Sequence, residues 1–497
     1  MRWCARPFAR RGSNSGGAGE SGAVMRITVG PFNRVEGDLE LALDLDASGQ
    51  VVEARVNSPL FRGFEQLLVG RAPADALVIV PRICGICSVA QSAAAASALA
   101  EAAGLVPAPN GILARHLIQA TENLADHLSH FYLFFMPDFA RPAYRGRPWF
   151  PALASRFMAV KGSAAAELLP ARANFLKLMG FLAGKWPHTL ALQPGGSTRA
   201  ITAAERIRIL ALLREFRSFL ETTLLGDSLQ AVAALDSVDA LRAWSAGRPG
   251  DFPAFLAAAA DLGLERLGRS GHRYLSSGAY GLIPGGTWAP QGEGEALDPA
   301  RITEDVHHAW LADGPPLPPA HGETLVAADK PSGYTWCKAP RYAGSPVEVG
   351  ALARQVVAGQ PLLRDMVRSR GGSVTARVVA RMVELATILP AMETWVQALR
   401  PGEPFCTHAD LPEEAAGAGL VEAARGTLGH WVSVRRGRIE RYQIVAPTTW
   451  NFSPRDHLEQ PGPLEQALVG LPAGEGAPPT VQHVVRSFDP CMVCTVH

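Results

Sequence analysis

Four cysteines stand in two pairs, Cys84 with Cys87 and Cys491 with Cys494, each pair spanning two intervening residues. In a helix or tight turn that spacing puts both sulfurs on one side, where they can meet a single ion. Four thiolates favour zinc, iron, nickel or an iron–sulfur cluster over hard cations. A structural zinc is one reading, although zinc ribbons keep their pairs roughly 15–20 residues apart. Here almost the whole chain lies between them. A site built from two chain ends resembles a buried catalytic centre more than a local staple, but spacing alone leaves zinc and a redox metal both open. Cys4, Cys337 and Cys406 show no ligand spacing and read as tail or core residues.

Elements that could position these pairs follow from periodicity. Leu39, Leu41, Leu43 and Leu45 alternate with polar or small residues, and a turn at 47–50 leads into Val52, Ala54 and Val56, so 26–58 reads as strands. Leu113, Leu117, Ala120, Leu124, Leu128, Phe131 and Phe135 recur every three or four positions, which predicts a long helix over 111–135. Its other side carries Asn123, Asp126, His127 and His130, and helical geometry by itself makes that a solvated face. Further helices are expected over 202–225 and 373–399, the latter kinked or ended by Pro390. Stretches 281–300 and 313–320 read as long loops, and 428–446 as a second hairpin turning at Arg436-Gly437. The fold class is mainly α with some β (α+β), a core of long helices with hairpins at its periphery.

Composition narrows the function. The 497 residues are 47% apolar and 19% charged, enough for a large core. With 47 basic and 46 acidic residues the net charge is +1, so nothing pulls the chain toward nucleic acid or an anionic membrane, and a small neutral substrate fits best. Seven cysteines do not form a disulfide framework, and free thiols point to the cytoplasm or to metal ligation. The longest apolar runs, Ala93 to Ala100 and Ala254 to Ala260, are far shorter than the roughly 18–20 residues of a membrane span. Residues 1–24 lack the apolar core of a signal peptide and are expected to be a disordered tail, with Met25 an alternative start and 25–497 a single domain.

The motifs Arg82-Ile83-Cys84-Gly85-Ile86-Cys87 and Asp489-Pro490-Cys491-Met492-Val493-Cys494, with His497 three residues on, resemble the signature pair of nickel–iron hydrogenase large subunits. The resemblance runs from about residue 26 to 497 and includes Asn33-Arg34-Val35-Glu36-Gly37, Arg62-Gly63-Phe64-Glu65, Gly184-Lys185 with Pro187-His188, Lys338-Ala339-Pro340-Arg341-Tyr342, Arg425-Gly426 and Pro447-Thr448-Thr449-Trp450-Asn451. It implies a hydrogenase large-subunit fold and heterolytic cleavage of H2 at a nickel–iron centre whose iron carries CO and cyanide. Cys84 and Cys491 would be terminal nickel ligands, and Cys87 and Cys494 would bridge to iron. Glu36 would take the proton; without the resemblance it reads as a strand-end partner of Arg34. Arg425, Asp489 and Asp126 would lie over the metals, with Thr448 and its neighbour Pro447 beside the iron ligands. Glu65, the main-chain carbonyl near Ile444 and His497 would hold a second ion, magnesium or another divalent cation. Electrons would pass to an iron–sulfur small subunit in a heterodimer or a dimer of heterodimers.

Three departures concern the subtype. Gln91 stands where most of the family has a histidine, and Ile86 and Phe134 add bulk where the family has Val and Leu along the gas route. With the chain ending at His497, these resemble the regulatory type, an oxygen-insensitive H2 sensor of low turnover that would add a sensor histidine kinase as a partner. An uptake hydrogenase is the alternative, and a zinc-stabilised, non-catalytic scaffold is the reading from a different class.

Overall fold

The alanine run after the first cysteine pair becomes the helix Ser88–Ala102, and its small side chains set how closely it can pack. It lies on the strand Ala415–Ala423, where Gly417 and Gly419 face it. A Cβ on Gly419 would sit 2.0 Å from the Ala94 carbonyl oxygen, and one on Gly417 would sit 2.2 Å from that of Ala98. Helix backbone therefore touches strand backbone, which only alanine against glycine permits. Gly419→Ala is expected to lower the thermal midpoint, since forcing the helix off the sheet is an overpacking change of about 1–3 kcal/mol; an unchanged melting curve would contradict this packing.

The computed structural model describes residues 24–474 and 479–495. The expected disordered tail, apart from Val24, lies outside the described residues, as do Cys4 and His497. Helices dominate, and one three-stranded antiparallel sheet lies toward each end of the chain. The first joins Met25–Val29, Glu40–Leu45 and Val51–Asn57, with Leu41, Leu43 and Leu45 turned into the core. The second joins Ala415–Ala423, Gly426–Arg435 and Arg438–Val445, so the expected hairpin at 428–446 gains a third strand. The α+β class holds.

Helix Pro109–Ser129 is the central element and continues as a π turn over His130–Phe135. The helix expected over 202–225 likewise ends in a π turn, after Ala203–Phe219. Two expectations are corrected. Pro390 does not end its helix, which runs on over Val374–Ala398. Pro390 is half-exposed, while Leu389, Met392 and Val396 on the buried face keep packing, so burial outweighs one missing hydrogen bond. Residues 281–300 are not simply a loop, because Ile283–Trp288 pairs with Tyr274–Ala279. Among the described residues no helix is long and apolar enough to cross a membrane.

Candidate metal centre

Both cysteine pairs sit at the mouths of short turns. Cys84 ends the 3-10 turn Val80–Ile83, and Cys87 immediately precedes helix Ser88–Ala102. Cys491 lies just before the helical turn Met492–Thr495, which carries Cys494. The structure brings the two ends together. Cys84 and Cys491 sulfurs are 3.4 Å apart, those of Cys87 and Cys494 are 3.2 Å apart, and those of Cys491 and Cys494 are 3.1 Å apart. All four are buried, free of disulfides and within 4.8 Å of one another. Around a tetrahedral ion at about 2.3 Å, sulfurs stand ~3.8 Å apart, so opening this set by less than about 1 Å makes a soft-metal cage.

Main chain and one arginine clamp the two ends. The Met492 amide donates to the Glu36 carbonyl at 2.6 Å, and the Glu36 amide donates to that of Pro490 at 3.5 Å. Gly37 leaves room for this: a Cβ there would lie 2.9 Å from Val493 Cγ1. Arg62 donates from Nη2 both to Ile83 O, at 2.5 Å, and to Val493 O, cross-bracing the two motifs. The Cys491 amide donates to Thr448 Oγ1 at 3.1 Å, which leaves the threonine's own proton for another acceptor. Pro447 opens the same short helix, Pro447–Asn451, and is buried.

Arg425 is the buried cation over the thiols. Its Nη1 lies 2.9 Å from Asp126 Oδ2, its Nη2 lies 3.2 Å from Asp489 Oδ1, and its Nε donates to Asp489 O at 2.9 Å. Burial works against the charge, but Asp126 and Asp489 hold the guanidinium well above its ordinary value. Burial also pushes the Asp126 carboxyl up to about 6, against the pull of Arg425. Asp489 takes a left-handed φ of 58°, which an Asp tolerates better than most residues, and Arg425 fixes it there. Nη1 makes no aligned hydrogen bond among the described residues, so a buried donor remains available beside the sulfurs.

Glu36 does not pair with Arg34, which reaches Asp138 and the Phe134 carbonyl instead. The Glu36 side chain is half-buried. Burial, then the charge of Cys84, pushes its carboxyl above the usual range, while Arg425 and Arg62 pull the other way. Among the thiols, hydrogen bonds chiefly with Cys491 hold Cys84 well below the ordinary thiol range and push Cys87 well above it. The cluster therefore holds protons that a metal must displace.

The polar side of helix Pro109–Ser129 is not solvated. Asn123, Asp126, His127 and His130 are all buried, each with a partner from a distant segment. Asn123 donates to Tyr280 Oη at 2.6 Å, His127 Nε2 stands 3.1 Å from Glu384 Oε1, and His130 Nε2 donates to Arg486 O at 2.6 Å. Sequence reasoning missed Glu122, one turn before Asp126. Its carboxylate accepts the Val89 and Ala90 amides, each at 3.0 Å, and Trp186 Nε1 at 2.9 Å. It thereby anchors the helix start that carries Cys87, and burial pushes its carboxyl up to about 8. Its place four residues before Asp126 was the only available signal.

Of the proposed second site, Glu65 and Ile444 do meet, the Ile444 amide donating to Glu65 Oε1 at 2.8 Å. Lys338 Nζ also reaches Glu65, at 3.2 Å, and Thr324 donates to it. Gln91 Oε1 accepts from His430 Nε2 at 2.8 Å. Cys337 is buried in the core, as expected, and Cys406 is half-buried.

Known proteins resemble this chain along nearly its whole length. The family model described as "Nickel-dependent hydrogenase" matches residues 62–143 and 157–497. The periplasmic [NiFeSe] hydrogenase large subunit of Desulfomicrobium baculatum is 30% identical, with 95% of each chain covered. The hydrogenase-2 large chain of Escherichia coli K12 is 28% identical over 95% of this chain and 97% of its own. Among solved structures, the reduced Ni-Fe-Se hydrogenase of D. vulgaris Hildenborough superposes with a TM-score of 0.83 at 30% identity, covering 96% of this chain and 100% of that one. Four convergent thiols on this fold, matched along nearly the whole sequence, make the chain a member of the nickel-dependent hydrogenase large-subunit family, oxidoreductases acting on H2.

Proposed function

We propose that this chain cleaves H2 heterolytically at a nickel–iron centre, its iron bearing CO and cyanide, that Cys84, Cys87, Cys491 and Cys494 would hold. The observation that carries this reading is the buried set of four free thiols drawn from both chain ends. When bound, the metal pair would polarise H2 as a Lewis acid. The protein's own residues do the rest. Glu36, whose main chain is bonded to the Cys491 turn, takes the proton and passes it toward the surface. Arg425, held by Asp126 and Asp489, keeps an unaligned Nη1 donor that would serve the diatomic ligands and substrate. Thr448, with Pro447 at the head of its helix, would have its hydroxyl proton free for an iron-bound cyanide.

Glu65, the Ile444 carbonyl and His497 are the proposed second site, for magnesium or another divalent ion. Buried Glu65 is suited to a hard cation, although Lys338 already neutralises part of its charge. Residues 25–497 act as one unit, a view supported by Glu465 accepting the Val56 amide across most of the sequence. Relatives are named large subunits, which supports an iron–sulfur small subunit as partner.

Turnover is the primary role in this reading, since relatives are named as uptake and periplasmic hydrogenases. The H2-sensor role, with a histidine kinase downstream, rests on Gln91, Ile86 and Phe134, and a cytoplasmic location rests on the free thiols. Infrared spectroscopy tests the centre. Bands of metal-bound CO and cyanide that shift under H2 are expected, whereas their absence with zinc as sole metal would sink the assignment. Fast turnover that dies quickly in air would remove the sensor role.

A further inference from the structure

A second set of ligating side chains lies on the surface, built on the ribbon formed by strands Ile302–Asp305 and Ala339–Tyr342. His307 and His308 follow the first strand after Val306, and Glu459 belongs to a loop more than a hundred residues on. Donor atoms of these three residues all lie within 4.8 Å of one another. From this geometry we infer that His307, His308 and Glu459 form a binding site for a first-row divalent transition ion of the Zn2+ class.

The ring chemistry of His308 supports the assignment. Its Nδ1 lies 3.0 Å from the Ser332 carbonyl oxygen, which can only accept, so Nδ1 carries a proton. In a neutral ring Nε2 is then a bare lone pair, and it faces Glu459 Oε1 at 2.9 Å. Two acceptors at that distance need a cation between them or a second proton on the ring. Donation of the far ring N–H to a carbonyl is also the usual arrangement behind a metal-bound histidine, since it fixes the tautomer and orients the lone pair. The His307 ring stands edge-on to that of His308 with centroids 4.7 Å apart, and Tyr334 packs on the other ring at 5.4 Å.

Both ligand loops are held before any ion arrives. Lys330 Nζ donates to Val306 O at 2.6 Å and to Leu311 O at 3.1 Å, pinning the histidine loop. Buried Arg341, on the partner strand of the ribbon, binds Asp456 Oδ2 at 2.6 Å and Gln460 O at 2.8 Å, on either side of Glu459. Asp456 Oδ1 in turn accepts the Leu458 and Gln460 amides, at 2.9 and 3.0 Å. Glu459 itself has a left-handed φ of 59°, a conformation that this loop imposes. Two imidazole nitrogens and one carboxylate oxygen suit Zn2+, Co2+, Ni2+ or Cu2+ rather than Mg2+ or Ca2+, with the remaining position open to water. The ion would staple two surface loops well separated in sequence.

The test is Zn2+ titration of the assembled, metal-loaded enzyme, comparing wild type with His308→Ala, Glu459→Gln and His457→Ala, each confirmed to keep nickel and H2 turnover; His457 serves as the control, a nearby histidine outside the ligand set whose Nδ1 lies 2.6 Å from Asp305 Oδ2. Wild type and His457→Ala should each take up one Zn2+ more than His308→Ala. Glu459→Gln should weaken that site by at least about 10–100-fold, the range seen when even a neighbour of a metal ligand is lost. Co2+ in the same site should show a visible ligand-field band that His308→Ala lacks. Equal Zn2+ uptake in wild type and His308→Ala, or no uptake beyond the nickel centre in wild type, would overturn the assignment.

Discussion

Cys494→Ser is expected to yield a folded chain without nickel and without detectable H2 turnover. The four sulfurs converge from two loop–helix junctions, and Cys494 touches both Cys87 and Cys491. A serine oxygen is harder, shorter in reach and far less acidic than a thiol, so the set loses both its softness and one corner. Changing a mere neighbour of a metal ligand costs about 10–100-fold in affinity or activity; losing a ligand should cost more. Folding should survive, because the Glu36–Met492 main-chain bond and the Arg62 brace do not use the sulfur. Metal analysis, circular dichroism and H2 uptake would check this together. Full nickel and full activity in the serine variant would break the ligand assignment, and a wild-type chain holding only zinc would favour the scaffold reading.

Glu36→Gln should separate the proton path from the metal cage. The substitution keeps size and hydrogen-bonding shape but removes the base. Glu36 is tied to the Cys491 turn through its backbone, so nickel content should stay at the wild-type level. Removal of a positioned acid–base group typically costs about 10²–10⁴-fold, and a fall in H2/D2O exchange of that size is expected. Glu36→Asp should recover part of the rate. If Glu36→Gln exchanged at the wild-type rate with nickel intact, the proton would have to leave by another carboxyl, and buried Glu122 would be the next to test.

Much of this site was legible in the residues. The cysteine spacing pointed to a soft metal, and the motifs around Glu36, Arg425 and Asp489 supplied its neighbours. Leucine alternation in 39–45 and the 3–4 spacing in 113–135 gave the first sheet and the central helix with only small boundary errors. Failures came where periodicity reports which residues share a face but not what covers it. Asn123, His127 and His130 looked solvated because their partners, Tyr280, Glu384 and Arg486, stand far along the chain. Pro390 looked like a helix end because propensity does not weigh the burial of Leu389 and Met392.

The sequence by itself determined that two thiol pairs exist, that their chemistry is soft, and that an acid, a base and an arginine accompany them. It could not determine that they meet. That depends on Gly37 admitting Val493, on Arg62 bonding carbonyls from both motifs, and on Gly417 and Gly419 letting helix Ser88–Ala102 rest on a strand. Each is a contact between segments distant in sequence, fixed by shape and hydrogen-bond geometry once the core has formed. Only the tertiary structure decides such contacts, because local residue preference carries no information about which distant backbone will arrive at a given surface.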